Sequence, residues 1–550
     1  MKQLPFFKTI MLCVLCSFFL TSSQAQSLES KIDKILSNQF KSNETGVSAL
    51  VAKDGKVIYR KAFGKANLEL DVNMTSENVF QVGSITKQFT AVSILMLLEE
   101  GKLSLEDEIT KFIPDYPTNG KKITVHHLLT HTSGIKSYTS MQSFGKVMTI
   151  DEAPLKFIDF FKNEPMDFET GEKYLYNNSG YFILGYIIEK ASGMSYSKFI
   201  QERIFDKINM NSSYYGSHTK LIKNRASGYQ KGGEFVNAQY ISLALPYAAG
   251  SIMSTVDDML KWQTAITTDV FVKEATIDKA FTNYTLNNGD KINYGYGWSI
   301  NEINDEPTIE HGGAIPGYLS MGIFVPSKNV YVILFSNCGC QSPTNVAIEI
   351  AALASDNEKF TKENTIKLSS EQLQKWVGAY QFDNEVVRYI TLKEGQLYSK
   401  REGSQQSFKV YPTSPNSFSF EEGFISYNFS MKDEKKVVLF KNRINRATGI
   451  FVDKKAQKEK KIITVSADIL KTYVGEYELQ PGFVITITSK ENQLFAQLTG
   501  QPQFELFAES NTKFFLKVVK ASLEFHKNEK GAISALTLFQ GGRAMKAQKK

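Results

Sequence analysis

Apolar positions in the first two thirds of the chain follow two periods, that of strands and that of helices. Val47-Ser-Ala-Leu-Val-Ala52 and Lys56-Val-Ile-Tyr-Arg60, parted by Asp54-Gly55, predict a β-hairpin. Met321-Gly-Ile-Phe-Val325 and Val330-Tyr-Val-Ile-Leu-Phe335, parted by Pro326-Ser-Lys-Asn329, predict another. Between them lie helical patterns over 180–191 and 255–267. Phe89, Val92 and the run from Ile94 to Leu98 make a further segment apolar nearly all round, as a buried helix requires. This order predicts an α/β (α+β) domain, with strands from both chain ends forming one antiparallel sheet against a largely helical middle.

After Ser355 the pattern changes. Residues 356–365 are polar and read as a linker, and an internal repeat follows. Leu373-Gln-Lys-Trp-Val-Gly-Ala-Tyr380 returns as Leu470-Lys-Thr-Tyr-Val-Gly-Glu-Tyr477, an offset of 97 residues. The same offset aligns Ile390-Thr-Leu-Lys-Glu-Gly-Gln-Leu397 with Ile487-Thr-Ser-Lys-Glu-Asn-Gln-Leu494. Both copies run on in short alternating strands, which predicts two tandem all-β modules, each large enough to close as a small barrel. The expected divisions are 26–362, 363–460 and 461–550.

The N-terminus adds a compartment. Lys2 and Lys8 precede the apolar run from Ile10 to Leu20, and Ser23-Gln-Ala25 follows. This reads as a secretory signal cut after Ala25, too short for a comfortable membrane span, and it places the mature protein in the periplasm or outside the cell. Losing the two lysines takes the formal charge from +7 to +5. No basic stripe interleaved with aromatics points to nucleic acid, and the run from Lys454 to Lys461 reads as a solvated linker. Cys13 and Cys16 leave with the signal. Cys338 and Cys340 remain, too close in sequence for an unstrained pairing, and are expected to be packing residues.

The buried helix opens on Ser84-Ile-Thr-Lys87. Residues three apart share a helical face, so the lysine amine is expected beside the serine hydroxyl. Burial strips a lysine of its proton and makes it a base, and the helix start offers N–H groups to developing negative charge. Ser-x-x-Lys by itself recurs at Ser133/Lys136, Ser143/Lys146 and elsewhere, so context singles out Ser84. Two further segments offer a proton shuttle and a close backbone approach: Tyr174-Leu-Tyr-Asn-Asn-Ser-Gly-Tyr181 before an apolar helix, and Pro307-Thr-Ile-Glu-His-Gly-Gly-Ala-Ile-Pro-Gly317 at a strand. His131 and Ser133, after a helical stretch, are read as helix-end capping residues.

With these segments in order, the chain from about Ser37 to Ser355 resembles the β-lactamase-related serine hydrolases, which include class C β-lactamases, D-alanyl-D-alanine carboxypeptidases and D-aminopeptidases. Ser84-Ile-Thr-Lys87 matches the nucleophile box, Tyr176-Asn177-Asn178 the Tyr-x-Asn box, and His311-Gly312-Gly313 stands where Lys-Thr-Gly is usual. Thr124-Val-His-His-Leu-Leu-Thr-His-Thr-Ser-Gly134, the stretch from Ala248 to Met259 and Tyr294-Gly-Tyr-Gly-Trp298 also match. The repeated modules are similar to the lipocalin-like barrels of D-aminopeptidases.

The resemblance implies roles. Ser84 attacks a carbonyl, Lys87 and Tyr176 share the base role, and Tyr176 protonates the leaving group. Asn178, His311, Gly312 and Gly313 bind substrate. The N–H groups of Ser84 and Ala314 form the oxyanion hole. No metal or organic cofactor is implied. Histidine at 311, mostly neutral at pH 7, favours substrates without a free carboxylate. The expected activity is cleavage of amide or ester bonds, foremost in peptides containing D-amino acids, then in small esters, with cell-wall peptide fragments among the partners. The rivals are a D-Ala-D-Ala carboxypeptidase or weak β-lactamase and, from another class, a non-catalytic wall-binding or sensor protein.

Overall fold

The computed structural model describes residues 28–550 apart from 384, 405, 422, 456–461, 481–482, 500 and 520. The segment read as a signal and most of the Lys454–Lys461 run lie outside the described residues. The chain divides into two units, one ending at Lys359 and one starting at Phe360.

In the first unit, β1 (Val47–Lys53), β2 (Lys56–Phe63), β3 (Ser299–Ile303), β4 (Glu306–Ile315), β5 (Tyr318–Val325) and β6 (Val330–Ser336) form one antiparallel sheet in the order β3-β4-β5-β6-β1-β2. The chain ends meet at its centre, where Val47 pairs with Ser336 and Lys53 with Val330. β1 and β6 are buried almost throughout. That explains why their sequences run as continuous apolar stretches and do not alternate.

The four longest helices among the described residues are α1 (Thr86–Glu99), α2 (Asn178–Ser192), α3 (Val256–Ile266) and α4 (Thr344–Ala354). The helix α3 lies against β1 and β6, and α4 against β5 and β6. Twelve of the fourteen residues of α1 are buried, so no face of it needs to be polar. The caps correct the sequence-based bounds. Asn177 Oδ1 accepts from Gly180 N at 2.9 Å and starts α2 two residues early, while Thr255 Oγ1 accepts from Asp258 N at 3.2 Å and stands outside α3. α2 crosses the Tyr247–Gly250 turn at Gly185, where a Cβ would lie 2.4 Å from both the Ala248 methyl and the Tyr247 ring.

The expectation for Cys338 and Cys340 is overturned: they are joined in a disulfide with the Cα atoms 5.1 Å apart. That separation is within ordinary disulfide reach, because the chain turns at Gly339 between them.

The second unit holds two closed eight-stranded barrels, running from Gly378–Phe382 to Arg446–Val452 and from Gly475–Gln480 to Arg543–Lys549. Each closes by pairing its first strand with its last, Ala379 with Val452 and Tyr477 with Lys549. The repeat reaches into the hydrogen bonding. Tyr380 Oη donates to Trp376 O and Tyr477 Oη to Tyr473 O, each at 2.8 Å. No helix among the described residues is long and apolar enough to cross a membrane.

Candidate active site

Ser84 sits in the single 3-10 turn Gly83–Ile85 that leads into α1. Gly83 has φ +54°, and a Cβ there would come within 2.8 Å of Ala314 N on β4. At Gly313 a Cβ would lie 2.0 Å from Val82 O. The Ser320 hydroxyl also donates to Val82 O, at 2.9 Å. Glycine at 83 and 313 therefore lets the serine turn press against the strand edge, which brings the Ala314 backbone beside Ser84. Gly312 is less crowded, its nearest neighbour being 3.4 Å from a built Cβ.

Lys87, the second residue of α1 and three residues beyond Ser84, is fully buried. Its Nζ lies 3.2 Å from Ser84 Oγ, 2.8 Å from Asn178 Oδ1 and 2.8 Å from Ala249 O. Burial alone drives its pKa well below the ordinary 10.5. The partners match a neutral amine. Two of them are oxygens that only accept and so take two N–H bonds, while the serine hydroxyl is free to donate to the remaining lone pair. Asn178 is fixed in that orientation because its Nδ2 donates to Thr139 Oγ1 at 3.1 Å.

The Tyr176 ring centroid lies 4.8 Å from Lys87 Nζ. Its hydroxyl is buried, and among the described residues no group stands at hydrogen-bond geometry to it. Burial raises its pKa, and the neighbouring Ser84 hydroxyl pulls it the other way. The residues expected to converge therefore do: Ser84, Lys87, Tyr176 and Asn178 surround one point, with the Ala314 backbone on the strand side.

His131 closes the helix Val125–Leu129 as expected, its N–H donating to Leu128 O at 3.4 Å and that of Thr132 to His127 O at 3.0 Å, and it is also part of this arrangement. Its backbone carbonyl accepts from Leu175 N at 3.1 Å, and its ring Nδ1 accepts from Asn177 N at 3.0 Å. The two neighbours of Tyr176 are thus held by one residue, and the His131 ring packs 4.4 Å from the Tyr176 ring. Because Nδ1 accepts, the proton is on Nε2. Burial, with Lys87 nearby, keeps the ring neutral by lowering its pKa well below 6.5. Its positive φ of 59° is that of the residue just past a capped helix end. Ser133 does behave as a turn residue, its hydroxyl accepting from Ile135 N at 3.3 Å.

His311 lines the cleft, but both ring nitrogens are engaged inside the protein. Nδ1 lies 2.5 Å from Gly312 O, which only accepts, so it carries the proton; Nε2 then accepts from Tyr294 Oη at 3.0 Å. Burial, then Lys87, pushes its pKa down to about 3. It supplies no positive charge at neutral pH.

Two cavities open on Ser84 and Ala314. One, of about 190 Å³, is walled by Tyr138, Phe144, Met148, Ile241, Pro246 and Ile315. The other, of about 410 Å³, runs past Tyr176, His311, Gly312, Gly313 and Ser320.

Comparison with known proteins identifies the fold. The family described as Beta-lactamase matches residues 30–354, and a domain of unknown function, DUF3471, matches 459–549. Penicillin-binding protein 4* of Bacillus subtilis (strain 168) is 26% identical, over 90% of this chain and 93% of its own length. The octameric penicillin-binding protein homologue from Pyrococcus abyssi superposes with a TM-score of 0.53 at 28% identity, covering 77% of this chain and 99% of that one. The D-amino acid amidase from Ochrobactrum anthropi SV3, complexed with D-phenylalanine, gives 0.54 at 24% identity over 60% of this chain and 99% of that one, a likeness of fold alone. With the family matched across more than half its length, the chain belongs to the Beta-lactamase family of serine hydrolase folds.

Proposed function

We propose that this protein hydrolyses amide or ester bonds through an acyl-enzyme on Ser84. Lys87, as the neutral amine, takes the Ser84 proton while Oγ bonds to the substrate carbonyl carbon. The oxyanion is held by the N–H groups of Ser84 and Ala314. As the tetrahedral centre collapses, the bond to the leaving group breaks and Tyr176 Oη gives it a proton, which the Lys87 ammonium restores. Water then attacks the acyl carbon as its proton passes to the same relay, the bond from that carbon to Ser84 Oγ breaks, Oγ takes the proton back, and the acid leaves. Asn178 holds Lys87 in register and offers its amide edge to the substrate. His311 and the two glycines shape the strand side of the cleft. The observation that carries this reading is the partner set of Lys87 Nζ, two acceptors and one hydroxyl, in a fully buried position.

The smaller cavity supports a substrate class. Its walls are mostly apolar, with Thr139 and Asn178 among them, and none of its lining residues is charged. Its volume exceeds the roughly 150 Å³ that suffices to hold benzene. An acyl group with an apolar side chain up to phenyl size fits, in D-amino-acid amides and peptides or in small esters. The neutral His311 disfavours substrates held by a terminal carboxylate, as a D-Ala-D-Ala carboxypeptidase needs. The N-terminal segment supports export to the periplasm or beyond.

A fluorophosphonate probe tests the nucleophile: the protein should label, and Ser84→Ala should not. D-phenylalanine amide and p-nitrophenyl butyrate should each exceed a D-alanyl-D-alanine peptide and a chromogenic cephalosporin by about tenfold or more in kcat/KM, a gap of about 1.4 kcal/mol. Absence of label would favour a binding protein.

A further inference from the structure

The first barrel differs from the second at one end of its interior. In the first, Arg388 and Arg401 are direct cross-strand partners, on the face that also carries Ile390 opposite Ser399 and Leu392 opposite Leu397. Ile390 and Leu397 belong to the barrel core, so the arginine pair continues the inner face toward the end opposite the Glu394–Gly395 turn. In the second barrel the paired positions, at the same offset of 97 residues, are Ile485 and Leu498. Ser399 likewise becomes Ala496. Tyr427, which pairs with Phe418, becomes Leu523, which pairs with Phe514.

Like charges directly opposite one another in a sheet are destabilising. Among the described residues no carboxylate pairs with either arginine. Arg388 lies 4.1 Å above the Phe440 ring and donates one hydrogen bond, at 3.2 Å, to Tyr427 Oη. Tyr427 Oη in turn lies 2.7 Å from Ser399 Oγ. Arg388 is half-buried and Arg401 exposed, so their forks are open to solvent at this end. Phe408, which pairs with Ser399, is 43% exposed beside them. Two forks of donors set among aromatic side chains suit a planar anion with an apolar body, and the fork geometry matches a carboxylate.

We propose that this end of the first barrel, walled by Arg388, Arg401, Ser399, Phe408, Tyr427 and Phe440, binds a small organic carboxylate with an apolar body. The second barrel, with aliphatic side chains at the equivalent positions, does not. The site is independent of acyl transfer at Ser84.

The test uses the full chain carrying Ser84→Ala, so that failure of the hydrolase reading leaves the result untouched. Calorimetric titration with 2-naphthoate should show one saturable site per chain. Replacing Arg388→Ile and Arg401→Leu, the second barrel's residues, should weaken binding at least tenfold with the far-UV spectrum unchanged. Arg401→Gln alone, the milder variant, should weaken it at least threefold. The neutral 2-naphthalenemethanol and inorganic phosphate should each bind at least tenfold more weakly than 2-naphthoate. No binding at millimolar 2-naphthoate, equal binding by the alcohol or phosphate, or undiminished binding by the folded variants would overturn the proposal.

Discussion

Lys87, His131 and His311 are buried inside the first unit, and burial is the largest influence lowering the pKa of each, whereas Tyr380 and Tyr477, buried in the barrels, each donate to a carbonyl four residues back. The barrels bury polar groups that their own sequence neighbours satisfy, which adds to stability. The cleft buries groups that would rather be charged and in water, and holds them neutral. Local and global preferences conflict there, as expected where chemistry is done and stability is given up for it.

The strongest way to break this contrast is Lys87→Met. If the amine serves chemistry at the expense of stability, kcat/KM should fall by about 10³-fold or more, while the midpoint of thermal inactivation stays level or rises. The pH dependence carries the same signature. Unfolded, Lys87 binds a proton below about 10.5; folded, it does so only at a much lower pH. Between these values the unfolded state holds more protons, so wild-type stability falls as pH drops from 10.5 toward the lowered value. The Met variant should lack that slope, and wild-type kcat/KM should rise with pH through the folded titration. A variant that loses stability together with activity would show that the lysine is structural.

His131 sharpens the contrast, since it meets substrate through no atom of its own yet holds the backbone on both sides of Tyr176. His131→Phe keeps the ring packing and removes the acceptor for Asn177 N. Misplacing a reacting group by about 1 Å costs on the order of 10²-fold. The loss should appear in kcat with KM changed little, and His131→Asn, which restores a side-chain acceptor, should recover part of it. A rise in KM with kcat intact would assign His131 to substrate binding.

These residues also mark where sequence reading succeeds and where it stops. Ser84 and Lys87 are readable because three residues of one helix fix their geometry locally. The repeat is readable because matching residues do the same job: Gln396 Nε2 donates to Val410 O, and Gln493 Nε2 donates to Leu506 O on the equivalent strand. His131 is not readable, because the groups it binds arrive from Leu175 and Asn177, and its local pattern says only that a helix has ended. The engagement of His311 Nε2 depends on Tyr294, which comes from the segment before β3 and stands in no periodic relation to it. The disulfide depends on the turn at Gly339, and a spacing rule alone argues against it.

The smallest expected effect is the most direct test of the barrel half of the contrast. Tyr380→Phe and Tyr477→Phe each remove one buried hydroxyl and leave one carbonyl unpaired. Each should cost about 1 kcal/mol. Hydrogen exchange of the core strand amides in each barrel reads that cost locally, which matters in a chain of several domains where one unfolding midpoint does not describe every part. The two losses should agree, because the repeat builds the same bond from the same spacing, and kcat/KM should not move. Unequal losses would mean that the barrels have diverged in what holds them closed, as the Arg388 and Arg401 pair already separates them in what they face. A change in kcat/KM would mean that a barrel interior affects the cleft.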